Sequence, residues 1–114
     1  MSNKVIQVLK FTAEWCQTCR LLDPIIKQLQ QEYKQSNKPI EFITYDADNE
    51  DTKSLYDDYR IATMPTMVII VKDKDNNDDK TNSKELARVN GLKPKNALKI
   101  LLDWQLDALN NGKI

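Results

Sequence analysis

Cys16 and Cys19 are the only cysteines in this 114-residue chain, and just Gln17 and Thr18 separate them. Two thiols at that spacing can close a small disulfide ring and open it again. They follow an apolar stretch that reads as a strand and open a stretch that reads as a helix. At a helix start the unpaired backbone N–H groups and the positive end of the macrodipole favour an anion. A thiolate held there forms near neutral pH, where a free thiol with a pKa of about 8.5 supplies little. The chemistry these residues predict is a nucleophilic thiolate and a small disulfide ring that opens and closes. The bland alternative is a pair of inert thiols.

The chain has no histidine. The usual general base and the usual nitrogen ligand of metals are therefore missing. Proton transfer falls to carboxylates, lysines, the thiols or water. A structural zinc site needs about four ligands, which two cysteines in one chain cannot supply, so the expectation is no metal. Asp73, Asp75 and Asn77 have the spacing that opens a calcium loop, but the sixth position is Asp78 and the twelfth is Lys84. Glycine and glutamate belong there, so that stretch reads as a solvated loop.

The positioning elements follow from hydrophobic periodicity. Residues 5–11 (VIQVLKF) read as a buried strand. Residues 15–35 carry Leu22, Ile25, Ile26, Leu29 and Tyr33 at helical spacing, with Pro24 inside as a kink. Residues 40–45 (IEFITY) predict a second strand, and residues 50–59 a short helix with Leu55, Tyr56 and Tyr59 inward. Residues 66–71 (TMVIIV) predict a third strand and residues 85–90 an edge strand. Pro94 opens a last helix whose Leu98, Leu101, Leu102 and Leu109 face the core. The order β-α-β-α-β-β-α predicts two parallel crossovers and then an antiparallel hairpin, with helices on both faces of a mixed four-stranded α/β sheet. The polar run 72–84 (KDKDNNDDKTNSK) reads as the hairpin loop.

The length suits one domain over residues 1–114. Seventeen basic and seventeen acidic residues cancel, so no electrostatic footprint for nucleic acid or for an anionic membrane is present. No apolar run approaches a membrane span. Met1-Ser2-Asn3-Lys4 lacks the apolar core of a signal peptide. The expectation is a reducing, cytoplasmic compartment, where a lone Cys-X-X-Cys pair is redox-active rather than a staple.

Phe11, Ala13-Glu14-Trp15-Cys16, Cys19, Pro24, Asp48, Tyr59, Ile61, Met64-Pro65-Thr66 and Gly91 together resemble a thioredoxin, nearly end to end. An extra strand and helix that many thioredoxins carry lie before the position of Val5 and have no counterpart here. The resemblance implies the thioredoxin fold and reduction of protein disulfides without an organic cofactor. It implies that Cys16 is the exposed attacking thiol and Cys19 the buried resolving thiol. It makes Pro65 a cis-proline facing the disulfide, and Met64 a backbone partner for a substrate strand. Trp15, Gln17 and Thr18 would line the substrate site, and Gly91 would allow close approach. The implied partners are disulfide-bearing proteins and a recycling reductase or small thiol, met by a monomer.

Departures from the family pattern carry their own expectations. Gln17-Thr18 replaces the usual Gly-Pro, which predicts a less reducing couple. Thr63, Gln17 and Thr18 make the surroundings more polar than usual, while Met64 and Leu92 keep adaptable apolar contact. Lys10 stands where the family has a buried aspartate assigned to proton transfer. Its amine either lies near Cys19 and stabilises a thiolate, or snorkels to the sheet edge. A different class of function remains open: a binding or assembly scaffold with incidental thiols. An oxidase or isomerase is the third.

Overall fold

The computed structural model describes residues 3–74 and 83–114. The strands are β1 (Lys4–Thr12), β2 (Ile40–Asp46), β3 (Thr66–Asp73) and β4 (Lys84–Asn90), and the helices α1 (Gln17–Gln35), α2 (Lys53–Asp58) and α3 (Lys95–Asn110). A single 3-10 turn, Glu50–Thr52, leads into α2. The sheet order is β2-β1-β3-β4.

Alternation along the central strands explains why they read as continuous apolar runs. Ile6 and Val8 of β1, with Met67, Ile69 and Val71 of β3, face α1 and α3. Leu9, Phe11, Val68 and Ile70 face the other way, toward Leu55, Tyr56 and Tyr59 around α2. Strands covered on both faces need apolar residues at both parities. The stripes of α1 and α3 bury Leu22, Ile26, Leu29 and Tyr33, and Leu98, Leu102, Leu106 and Leu109. Leu106 joins the core beyond the leucines expected from spacing, while Ile25 and Leu101 are only partly buried. Pro24 lies on the exposed side of α1, which continues through it.

The topology corrects one expectation. β1 and β2 are parallel, but β3 is antiparallel to β1, so the second connection is not a parallel crossover. The segment between Asp46 and Thr66, which holds the 3-10 turn and the short helix α2, does not carry the chain back along the sheet. It returns the chain to the end where β2 finished, and β3 starts there, with Thr66 opposite Phe11. The β3–β4 hairpin is antiparallel as expected. Most of its loop, and with it most of the calcium-like spacing, lies outside the described residues.

This reversal gathers the site. The C-terminal ends of β1 and β2, the start of α1 and the start of β3 all meet at one end of the sheet. No described helix is long and apolar enough to cross a membrane.

Candidate active site

Cys16 is the N-cap of α1, with extended backbone, and Cys19 sits in the first turn. Their Cα atoms are 5.2 Å apart and the two are joined as a disulfide. The turn that delivers Cys16 is short: its N–H donates to the carbonyl of Ala13 at 3.2 Å. Ala13 is buried between the two cysteines and the partly buried Ala47 and Met64.

Burial separates the two sulfur residues by degree. Cys19 is 1% exposed and Cys16 is 8% exposed. The expectation of an exposed Cys16 is thereby corrected: it reaches solvent only through a small window. The cause is the roof formed by Met64, whose carbonyl oxygen lies 3.8 Å from the Cys16 Sγ. Around that sulfur the donors are local. The Cys19 N–H donates to it at 3.2 Å, and the Thr18 hydroxyl stands 3.5 Å away. The first turn of α1 carries no acidic side chain, so nothing negative there opposes an anion.

Across the window, the Met64–Pro65 peptide bond is cis. Two contacts fix this turn to β4. The Gly91 N–H donates to the Pro65 carbonyl at 2.7 Å. The Thr66 hydroxyl lies 2.6 Å from the Thr63 carbonyl and 3.0 Å from the Asn90 side-chain oxygen. Gly91 has a φ of +84°, which favours glycine, and a Cβ added there would meet nothing within 4 Å. Its place is thus required by backbone conformation in the free protein. Asn90 was not singled out from the sequence, and Thr66 only as a family landmark. The hydroxyl of Thr66 sits right after the proline, and only its fold partner on β4 reveals its use.

Trp15 is 64% exposed. Its indole N–H donates to the Asp48 carboxylate at 3.2 Å, which links the loop before Cys16 to the loop after β2. Gln17, Thr18 and Leu92 are exposed at the same end, and Met64 is half-buried. The structure therefore brings Trp15, Cys16, Gln17, Thr18, Cys19, Met64, Pro65 and Gly91 to one rim.

Lys10 finds a partner that neither expectation named. It is 8% exposed, and its ammonium pairs with Asp23 of α1. Strand alternation places it on the α1 face with Ile6 and Val8. Asp23 lies four residues, one helical turn, beyond Cys19. The ion pair borders a cleft of about 600 Å³, further lined by Glu14, Arg20, Lys27 and Asp46. The lysine is held inside by a carboxylate partner, which is how a buried charge is accommodated.

Comparison with known proteins agrees with this arrangement. The family model described as thioredoxin matches residues 1–101. A thioredoxin H4 of Arabidopsis thaliana is 35% identical over 69 residues, 60% of this chain and 53% of that protein. A thioredoxin H-type of Fagopyrum esculentum is 33% identical over the same share of each. The matched stretch thus spans about half the length of these relatives. Among solved structures, thioredoxin-2, described as a component of malaria parasite protein secretion machinery, superposes with a TM-score of 0.70 at 26% identity, covering 88% of this chain and 82% of that one. The sheet order, the cysteine pair at the start of α1 and the match over residues 1–101 agree: this chain belongs to the thioredoxin family.

Proposed function

We propose that this protein is a thiol–disulfide oxidoreductase that reduces protein disulfides, with Cys16 as nucleophile and Cys19 as resolving thiol. The observation that supports it most is the setting of the Cys16 sulfur. It sits at a helix N-cap, beside the Cys19 N–H at 3.2 Å and the Thr18 hydroxyl at 3.5 Å. Hydrogen bonds to the charged form lower a thiol's pKa, so these donors favour a thiolate once the pair is reduced.

In the forward direction, the Cys16 thiolate attacks one sulfur of a substrate disulfide. That S–S bond breaks, a Cys16–substrate bond forms, and the departing substrate sulfur takes up a proton. Cys19 then loses its proton and attacks Cys16, and the second substrate thiolate leaves. Two electrons pass from the dithiol to the substrate. A recycling reductase or a small thiol returns them. Trp15, Gln17, Thr18, Met64, Pro65 and Gly91 form the surface that a substrate would meet, with the Met64 backbone open to an extended segment. Disulfide-bearing proteins of a reducing compartment such as the cytoplasm are the proposed partners, and the unit acts as a monomer.

Gln17-Thr18 between the cysteines is expected to make the couple less reducing than Gly-Pro would, and equilibration against glutathione buffers measures this. The deciding experiment is insulin reduction followed by turbidity with dithiothreitol as electron source. The native protein should accelerate precipitation and Cys16→Ser should abolish the effect. Cys19→Ser should accumulate a mixed disulfide. Acceleration that survives Cys16→Ser refutes this mechanism.

A further inference from the structure

Tyr56 of α2 occupies an unusual place. β1 and β2 pair in parallel from Ile6 and Ile40 up to Thr12 and Asp46. The Ile6 N–H donates to the Pro39 carbonyl, so by the parallel pattern the Thr12 N–H faces the Tyr45 carbonyl at the last rung. The Tyr56 hydroxyl sits at that rung. It accepts from the Thr12 N–H at 3.1 Å and lies 2.8 Å from the Tyr45 carbonyl and 3.0 Å from the Thr12 carbonyl. Its ring meets the fully buried Phe11 edge-on, with centroids 4.9 Å apart, which holds the hydroxyl in place. Burial raises the phenol's pKa, the Thr12 backbone bond opposes this, and the Asp46 and Asp48 carboxylates add to the rise. The hydroxyl therefore keeps the proton it donates at neutral pH.

Both halves of the site start one step beyond this rung. From Thr12 the chain runs through Ala13 to Trp15 and Cys16. From Tyr45 it runs to Ala47, whose N–H donates to the Thr12 carbonyl at 2.8 Å. It then reaches Asp48, whose N–H donates to the Asp46 carboxylate at 2.9 Å and whose own carboxylate accepts from Trp15. Hydrogen bonds at Thr12 and Trp15, joined by the Ala47–Asp48 backbone, thus lead from the Tyr56 hydroxyl to the indole beside Cys16.

We propose that Tyr56 is a positioning residue of the redox site: its hydroxyl, placed between the ends of β1 and β2, sets the spacing across which Asp48 holds Trp15 next to Cys16. This rests on the redox reading of the Cys16–Cys19 pair. Tyr56 touches no reacting atom and acts through Trp15. Without the hydroxyl, the Thr12 N–H and the Tyr45 carbonyl face each other directly, the gap changes, and the Trp15–Asp48 bond loses its geometry.

The test uses full-length protein carrying Trp104→Phe, so that Trp15 is the only fluorophore of its kind. Tyr56→Phe deletes one oxygen and keeps the ring. Acrylamide quenching of Trp15 should rise, and KM for insulin should rise about three- to tenfold with kcat much less changed. Asp48→Ala, at an exposed residue, should reproduce both effects without the core change, so the test stands even where Tyr56→Phe folds poorly. The double variant should add little to either single one, since both cut the same connection. Unchanged Trp15 quenching and unchanged KM in Tyr56→Phe, with a lower melting temperature alone, would overturn the proposal. Failure of the redox reading looks different: the parent protein itself would show no insulin reduction, while the quenching measurement would still report on Trp15.

Discussion

Lys10 and Asp23 form an ion pair that ties the interior of β1 to the flank of α1, one helical turn past Cys19. The two partners are unequal. The lysine side chain is 10% exposed and the aspartate side chain 42%. Removing one partner therefore differs in cost from removing the other.

Asp23→Ala leaves an ammonium with little access to water and no counter-charge. It should lower stability by about 1–3 kcal/mol. Lys10→Met replaces the buried charge by an apolar chain of similar length and frees Asp23 to solvent, and should change stability by less than about 1 kcal/mol. Urea unfolding midpoints of the two variants decide the matter. Equal losses would show that the pair itself, rather than the stranded ammonium, carries the stability.

Thr18→Val removes the hydroxyl 3.5 Å from the Cys16 sulfur and keeps the shape of the side chain. The Cys19 N–H and the helix end remain. The reduced Cys16 should titrate higher by about half a unit to one unit. The pH dependence of iodoacetamide alkylation, or the ultraviolet absorbance of the thiolate, reads this directly. Alkylation should also reach Cys16 well before the more deeply buried Cys19.

Tyr33 joins α1 to α3. Its hydroxyl donates to the Asp103 carboxylate at 2.7 Å, and Lys99 lies 5.0 Å from its ring centre. Burial, then the hydrogen bond and charge of Asp103, hold its pKa well above the ordinary 10.0. Above pH 10 the unfolded tyrosine ionises while the folded one keeps its proton, so the unfolded state binds fewer protons and stability falls as pH rises. Tyr33→Phe should cost about 1 kcal/mol at neutral pH and should flatten that alkaline decline. Thermal melts across pH 7 to about 11 compare the two slopes.

Gly91→Ala puts a Cβ on a residue whose φ is +84°. Strain of about 1 kcal/mol should appear as a lower melting temperature. Because that Cβ would meet nothing within 4 Å in the free protein, any rise in KM for insulin reports the approach of a substrate. An unchanged KM would remove Gly91 from the binding surface and leave it a role in the turn alone.

The cysteine pair was legible because its parts are local. Four consecutive residues and the helix start that follows them specify an N-cap thiol and its donors. The central strands were legible because burial on both faces places apolar residues at both parities, with Gln7 and Lys10 the exceptions in β1. Direction was less so. Nothing in residues 50–65 states whether β3 returns parallel or antiparallel, and the direction is read only from the pairing of β3 with β1 in the sheet. Lys10 was the hardest residue to place. Its partner comes from another element thirteen residues away, and hydrophobic spacing carries no information on which carboxylate will face a buried lysine.

By itself, the order of residues determined the cysteine pair at a helix start, the fold that carries it and the exclusion of histidine chemistry, because each depends on contacts within a turn or on a repeating pattern. The tertiary structure alone decided how Cys16 is roofed by Met64, where Lys10 finds its counter-charge, and that Tyr56 reaches the rung between Thr12 and Tyr45 from 44 residues away. Those are meetings of distant segments, and their geometry exists only once the sheet and its covering helices have packed.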